Sequence, residues 1–449
     1  MNIPIKPSDV TFTDDQWKAI WTTGKDTLVS AAAGSGKTKV LITRMIEKVV
    51  NEQQPIDVDE LLVVTFTNAA AAEMRQRMAE ALEEEIEKNP QSAHLRQQLS
   101  LLNKAQISTL HAYCQHVVRQ YAYLLDIDPG FRVADSSETA LLKDDALRDV
   151  LETAYSAANP EELYRLVDSF TTDRDDQLIE TLISRLYEYS RVHPQPHEWL
   201  AQIPKQYAID EATTVDTLSF IDPLKRSIQH TLEEAMALVG ELTRIASMPD
   251  GPEPLLETAE ADRLWIQEAL RKVMHSTWED VYMYFQTLKW TRAASIKKGS
   301  CDENLTKRAK TLRDQVKKIV TDLKNAYFLR TPERLLREID QMKQPMETLV
   351  ELVYQFGQQY EQLKIARGIV DFSDLEHYAL TILSEEQKGQ LVPSDIAKSY
   401  QQQFKEVLVD EYQDTNRLQE TIIQLIKSGT EADGNLFMVG DVKQSIVRP

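Results

Sequence analysis

The chain has 449 residues and a mass of 51.4 kDa, too long for one ordinary domain, so two or three are expected. A hydrophobic fraction of 42% with 27% charged residues is that of a soluble globular protein, and only 13 Gly and 17 Pro exclude a collagen-like or low-complexity chain. Seventy-one acids against 51 bases leave a net charge of −20, which repels phosphate backbones in bulk, so any nucleic-acid contact must follow a local basic track.

Two cysteines, Cys114 and Cys301, cannot build a disulfide framework or a four-cysteine metal site, and they fit a reducing cytosol. The opening MNIPIKPSDV lacks the apolar core of a signal peptide, and no run approaches the ~20 apolar residues of a membrane span. The expectation is a cytoplasmic protein with no membrane partner.

The first predicted unit runs from Thr27 to Ile46. TLVSAAA reads as a short buried strand, GSGKT as a glycine-rich turn, and KVLITRMIEKVV as an amphipathic helix with Val40, Leu41, Met45, Ile46 and Val49 on one face. Glu60 to Thr67 is a second strand rich in β-branched residues, followed by the strong helix formers of AAAAEMRQRMAEALEEEIEK. Strand, loop, helix, strand, helix predicts an α/β fold with a parallel sheet. From about Gln115 to Met346 helical periodicity dominates, punctuated by turn signals such as Asn159-Pro160, His193-Pro194 and Pro249-Asp250-Gly251-Pro252. This reads as a large, mostly α-helical insertion. Strand character returns at Val407 to Val409 and again at Leu436 to Val439, each running into polar residues, where α/β sheets place their chemistry.

The turn AAAGSGKT matches G-x-x-x-x-G-K-[ST] except that Ala31 replaces the leading glycine. Phosphates need inward-pointing backbone N–H groups that bulky side chains would block. Ala33, Gly34, Ser35 and Gly36 supply that loop, the following helix presents its N-terminus, Lys37 reaches the β- and γ-phosphates, and Thr38 can ligate Mg²⁺. Asp410 and Glu411 follow the first late strand. A hydrolytic nucleotide site needs an acid at the metal, here Asp410, and a base for water, here Glu411. Gln444, after the last strand, can both donate and accept, which suits sensing of the γ-phosphate or the attacking water.

These motifs, in this order, resemble the superfamily 1 DNA helicases of the UvrD, PcrA and RecB group, and among them the AddA-type motor subunits of bacterial helicase–nucleases. Phe12-Thr13-Asp14-Asp15-Gln16 is similar to the adenine-reading motif, with Gln16 on the base edge. Val64-Thr65-Phe66-Thr67-Asn68 and Ile107-Ser108-Thr109-Leu110-His111 resemble the DNA-contacting segments after two strands. Ile369 to Leu375 resembles a segment that follows the inserted domain, and Asp410-Glu411-Tyr412-Gln413-Asp414-Thr415 the extended acidic motif.

The resemblance implies a RecA-like P-loop sheet flanked by helices: a first motor domain over residues 1–114 and 347–449, interrupted by a DNA-facing helical domain over 115–346. It implies an ATP- and Mg²⁺-dependent 3′-to-5′ helicase acting on single-stranded and duplex-end DNA during double-strand break repair, with an AddB-type partner in a heterodimer. Val447 stands where the family carries a stacking Tyr, and the sequence stops at Pro449. The chain therefore reads as the N-terminal part of a larger motor, without the second RecA-like and nuclease domains. A P-loop phosphotransferase and a non-catalytic nucleotide- or DNA-binding fragment are the alternatives.

Read as residues alone, the DNA segments are less determined. Thr65, Thr67 and Asn68 supply short donors suited to phosphates. Phe66 either stacks on a base or fills the core beside the sheet, and His111 either touches phosphate or caps a helix. Asp371, Asp374 and Glu376 read as a solvated helix start in preference to metal ligands. Between Lys289 and Lys318 ten bases stand against three acids, a local balance of +7 that includes Lys297 and Lys298. That stretch is either a DNA contact surface or a solvated helical face.

Overall fold

The computed structural model describes residues 3–441 except 9, 33, 52, 126, 158–159, 172–176, 294 and 298. The chain divides into two compact units, one formed by Met1–Ala157, Asp176–Leu200 and Leu352–Pro449, the other by Ala158–Asp175 and Ala201–Glu351.

The first unit holds a five-stranded parallel sheet of β1 (Thr27–Ser30), β2 (Leu61–Thr65), β3 (Gln106–Thr109), β4 (Glu406–Val409) and β5 (Leu436–Gly440), in the order β1-β5-β4-β2-β3. Strands β4 and β5, from the far end of the chain, sit between β1 and β2. Every residue of β2 and of β4 is buried, as expected for parallel strands covered on both faces. The period of two sorts them: Leu62, Val64, Val407 and Val409 enter one core, while Leu61, Val63 and Leu408 enter the other. In register, Ser30 stands beside Gly440, Val64 beside Val409 and Thr65 beside Thr109. All five strands therefore end along one edge.

Six helices position the site: α1 (Asp14–Trp21), α2 (Lys37–Val49), α3 (Asn68–Lys88), α4 (Leu110–Gln120), α5 (Phe372–Leu383) and α6 (Arg417–Ile426). Helix α2 lays Val40, Leu41, Met45, Ile46 and Val49 on one face of the sheet, and α3 adds Met74, Met78 and Leu82 to the same core. Helices α4, α5 and α6 cover the opposite face with Tyr113, Cys114, Val117, Leu375, Ile422 and Ile423.

The second unit starts later than the insertion expected over 115–346. Helix α4 belongs to the first unit because Tyr113, Cys114, Val117 and Val118 are buried against Val64 and Val409. Helix Gln177–Arg191 belongs there too: Arg191 Nε donates to Ser373 Oγ at 2.9 Å, and its carbonyl pairs with His377 Nε2 at 2.9 Å. In the second unit the described elements are helical, as the periodicity predicts. Long helices Ile221–Ala246, Leu256–His275 and Glu303–Tyr327 enclose a core in which Phe285 and Phe328 stack at 4.1 Å, with Trp278 5.0 Å from Phe328.

Candidate active site

The turn between β1 and α2 is held open by its glycines. Gly34 and Gly36 have φ of 74° and 82°, a region that side-chain-bearing residues rarely adopt. A Cβ on Gly34 would meet nothing within 4 Å, so the approach to the loop is clear. Gly36 caps α2, whose N-terminus carries a partial positive charge. Gln16, expected to read adenine, folds back into a capping box with Thr13: Thr13 N–H donates to its Oε1 at 2.8 Å, and its Nε2 donates to the Ser35 carbonyl at 2.8 Å. In this conformation Gln16 braces the loop. Ala33 and Gln444 lie outside the described residues.

Lys37 is the first residue of α2 and Thr38 the second. The Lys37 ammonium lies 3.4 Å from Glu411 Oε2, its side chain 9% exposed. Sequence separation is 374 residues; the sheet order brings the pair together. Asp410 extends the β4 pairing by one residue, its N–H donating to the Val64 carbonyl at 2.9 Å. Burial pushes its carboxyl above the ordinary range, as does Glu411 beside it; the Glu411 N–H and Lys37 pull the other way. A group in that position gains from a cation.

Glu411 has φ 53°, strained for a residue with a side chain. Gln413 holds its carboxylate from the side of β5. Gln413 Nε2 donates to its Oε2 at 2.6 Å, while the Asp441 N–H donates to Gln413 Oε1 at 2.9 Å. Gln413 thus spans the turn after β4 and the end of β5. A Cβ on Gly440 would sit 2.6 Å from Gln413 Oε1, so any larger residue there displaces the Gln413 amide.

Along the same edge, Thr65 is buried and its hydroxyl donates to the Thr67 carbonyl at 3.1 Å; it is not the open phosphate donor that its position suggested. Thr67 caps α3, accepting from the Ala70 N–H at 3.0 Å, and Asn68 is exposed. Phe66 is 58% exposed, which removes the core reading and leaves a face free for stacking. His111 stands at the start of α4, its Nε2 3.0 Å from Glu376 Oε1 and its ring edge-on to Phe372 at 5.0 Å. Phe66, His111, Asp410, Glu411, Asp414 and Gln419 share the lining of one small cavity of about 100 Å³.

Asp371, Asp374 and Glu376 do stand at the start of a helix, but it is not solvated: Asp374 and Glu376 are buried. Asp371 caps α5, and the buried Lys364 ammonium reaches Asp371 Oδ2 at 3.2 Å and Asp374 Oδ2 at 2.5 Å. Among the described residues no cluster of three His, Cys, Asp or Glu could hold a metal by itself. In the second unit Lys297 is exposed, and Lys298 lies outside the described residues. The basic run is weaker than its count: Arg313 is buried against Asp262 at 2.7 Å, and Arg308 pairs with Glu241 at 3.0 Å.

A glycine loop, a lysine and an acid pair meet on the edge of one parallel sheet, and the profile of the UvrD/REP helicase N-terminal domain matches residues 12–448. The chain belongs to the UvrD/REP helicase family. Its similarity extends to proteins named as subunits of an ATP-dependent helicase/nuclease. It is 59% identical to that of Lysinibacillus sphaericus over 99% of this chain, 48% to that of Geobacillus thermodenitrificans over 99%, and 46% to that of Bacillus cereus over 100%. The chain spans 36% of the length of each. Family membership sets aside the phosphotransferase alternative. No described helix is long and apolar enough to cross a membrane.

The roles of two residues of this helicase domain escaped the sequence. Gln413 was within reach, being inside the acidic motif, but its span to β5 depends on sheet order. Glu376 carries no local signal, since its partners His111 and Gln419 come from two other helices.

Proposed function

We propose that this chain is the first motor domain of an ATP-driven 3′-to-5′ single-strand DNA translocase, working in a cytoplasmic helicase–nuclease that processes double-strand ends for recombinational repair. The observation that carries this reading is the Lys37–Glu411 pair at 3.4 Å, a phosphate-seeking cation parked on the group that must act on water. The relatives' names support the ATP dependence and the helicase and nuclease activities of the whole protein. Their being named as subunits supports a partner, taken here as AddB-type.

The loop N–H groups and the α2 N-terminus hold the triphosphate. Lys37 exchanges Glu411 for the γ-phosphate, which frees Glu411 to accept a proton from water while Gln413 keeps it oriented. Thr38 and Asp410 offer a hydroxyl and a carboxylate, hard oxygen donors that suit Mg²⁺. An ion held there would neutralise charge developing on the phosphates. Phe66, Thr67, Asn68 and His111 meet single-stranded DNA on the same edge, and Lys297 and Lys298 with the rest of the second unit serve as an accessory DNA surface. The relatives' remaining length is taken to supply the second motor domain that closes the cleft and the nuclease.

The test is ATP turnover by the full-length protein with and without single-stranded DNA. Wild type is stimulated by the strand, and Lys37→Ala lowers turnover by at least about a hundredfold while strand binding persists. Turnover by Lys37→Ala within twofold of wild type removes the assignment.

A further inference from the structure

Glu376 lies outside the nucleotide and strand motifs. It sits on α5, 4% exposed, and its ionic partner among the described residues is His111 rather than a lysine or arginine. Burying a carboxylate without a strong cation is costly, and a glutamine or leucine of similar size would fill the space at lower cost. The two donors it collects both line the small cavity at the sheet edge. One is His111 Nε2 at 3.0 Å, which must carry its hydrogen because a carboxylate only accepts. The other is Gln419 Nε2 at 2.7 Å.

Gln419 in turn forms a capping box with Asn416: its N–H donates to Asn416 Oδ1 at 2.9 Å, and its Oε1 accepts from the Asn416 N–H at 3.3 Å. Asn416 directly follows the Asp410–Thr415 motif. His111, at the other end, keeps 39% of its side chain exposed, so a ligand can reach it. Phe372, one turn before Glu376 on α5, meets the same ring edge-on at 5.0 Å.

We propose that Glu376 is a positioning residue that couples strand binding at His111 to the acid pair Asp410–Glu411, an inference that rests on the strand-driven ATPase read above. A DNA phosphate at His111 competes with Glu376 for the Nε2 hydrogen. The buried carboxylate is then left with Gln419 alone, and it tightens that contact because an under-satisfied buried charge is expensive. The pull passes to Asn416 and the turn carrying Gln413. His111 on Glu376 and His111 on the strand are the two arrangements that nucleotide and DNA each bias.

The experiment measures steady-state ATP turnover of the full-length protein against oligothymidylate concentration. In Glu376→Gln, turnover without strand stays within twofold of wild type. The strand-stimulated kcat falls about tenfold, and the half-saturating strand concentration shifts less than about threefold. The double variant His111→Gln/Glu376→Gln is no worse than the poorer single one. Equal stimulation of Glu376→Gln and wild type overturns the coupling, as do additive losses in the double variant. So does a parallel drop of basal and stimulated rates with the melting temperature. If Glu376→Gln does not fold, Gln419→Leu cuts the other link and carries the same expected loss of stimulation, its absence again overturning the coupling. Should the wild type itself ignore the strand, the functional reading falls and takes this one with it; normal wild-type stimulation with an unaltered Glu376→Gln removes the coupling alone.

Discussion

Arg44 donates through Nε to Glu406 Oε1 at 2.7 Å, and both side chains are buried. The same guanidinium donates to the carbonyls of Ala19 at 2.7 Å and Ile20 at 3.0 Å and lies 4.2 Å from the centre of the Phe437 ring. One side chain of α2 thereby joins the end of α1 and the starts of β4 and β5. Lys48 adds a contact at 3.0 Å to the other Glu406 oxygen.

Glu406→Gln leaves two cations facing a neutral amide in a dry environment. The expected loss is about 3 kcal/mol, because removing one partner of a buried ion pair strands the other. Arg44→Met/Glu406→Leu, which removes the central pair, loses less. Urea unfolding of the three proteins decides, and a loss under about 1 kcal/mol in Glu406→Gln refutes the clamp.

Gly440→Ala tests the brace on Glu411, the proposed catalytic base. The added Cβ pushes Gln413 Oε1 off the Asp441 N–H and so loosens Glu411. Turnover in the full-length protein is expected to fall between about tenfold and a hundredfold, with little change in melting temperature because a flexible side chain can yield. Unchanged kcat shows that Gln413 does not orient Glu411.

Phe66→Ala separates strand binding from folding. The ring is mostly exposed, so stability is expected to change by less than about 0.5 kcal/mol. Loss of a stacking face weakens single-strand binding by about 1–3 kcal/mol. Fluorescence anisotropy with labelled oligothymidylate provides the measurement, and wild-type affinity rules out stacking.

His377 predicts a pH dependence. Burial, and then the nearby Arg191 cation, lowers its pKa to about 3, against an ordinary value of 6.5. The folded protein keeps it neutral while the unfolded chain protonates it near 6.5. Its contribution is therefore complete above pH 6.5 and is lost progressively as pH falls toward 3, by about 2 kcal/mol between pH 6.5 and 5. His377→Gln is expected to lack that component, so the two proteins' unfolding free energies converge as pH falls. Parallel curves contradict the assignment.

Much of the fold was legible because its signals are local. The phosphate loop announces itself by Gly34, Gly36 and Lys37, and the buried strands by apolar runs such as Leu61 to Val64. The acid pair at the end of Val407–Val409 was equally plain. What escaped depends on neighbours in space. Asp374 looked like the solvated start of a helix because Lys364 and Arg191, its partners, are ten and 183 residues away. The hydroxyl of Thr65 reads as available because nothing in the string shows that the chain turns back to place the Thr67 carbonyl beside it. Counting charges overstated the basic run for the same reason: Asp262 and Glu241, which pair with Arg313 and Arg308, precede it in the chain.

The placement of β4 and β5 between β1 and β2 also governs how the molecule is made. When β3 has left the ribosome the nascent chain holds the loop and three strands, but β1 has no strand to lie beside. Its neighbour arrives only with residues 436–440, and the strand that flanks β2 with residues 406–409. At roughly 5–20 residues per second, the nearly 300 residues after Thr109 take about 15–60 s to synthesise. Through that interval β2 has a partner on one side only, and β1 waits longer still, for residues 436–440, so backbone N–H and C=O groups of both strands stay open to pairing with other chains.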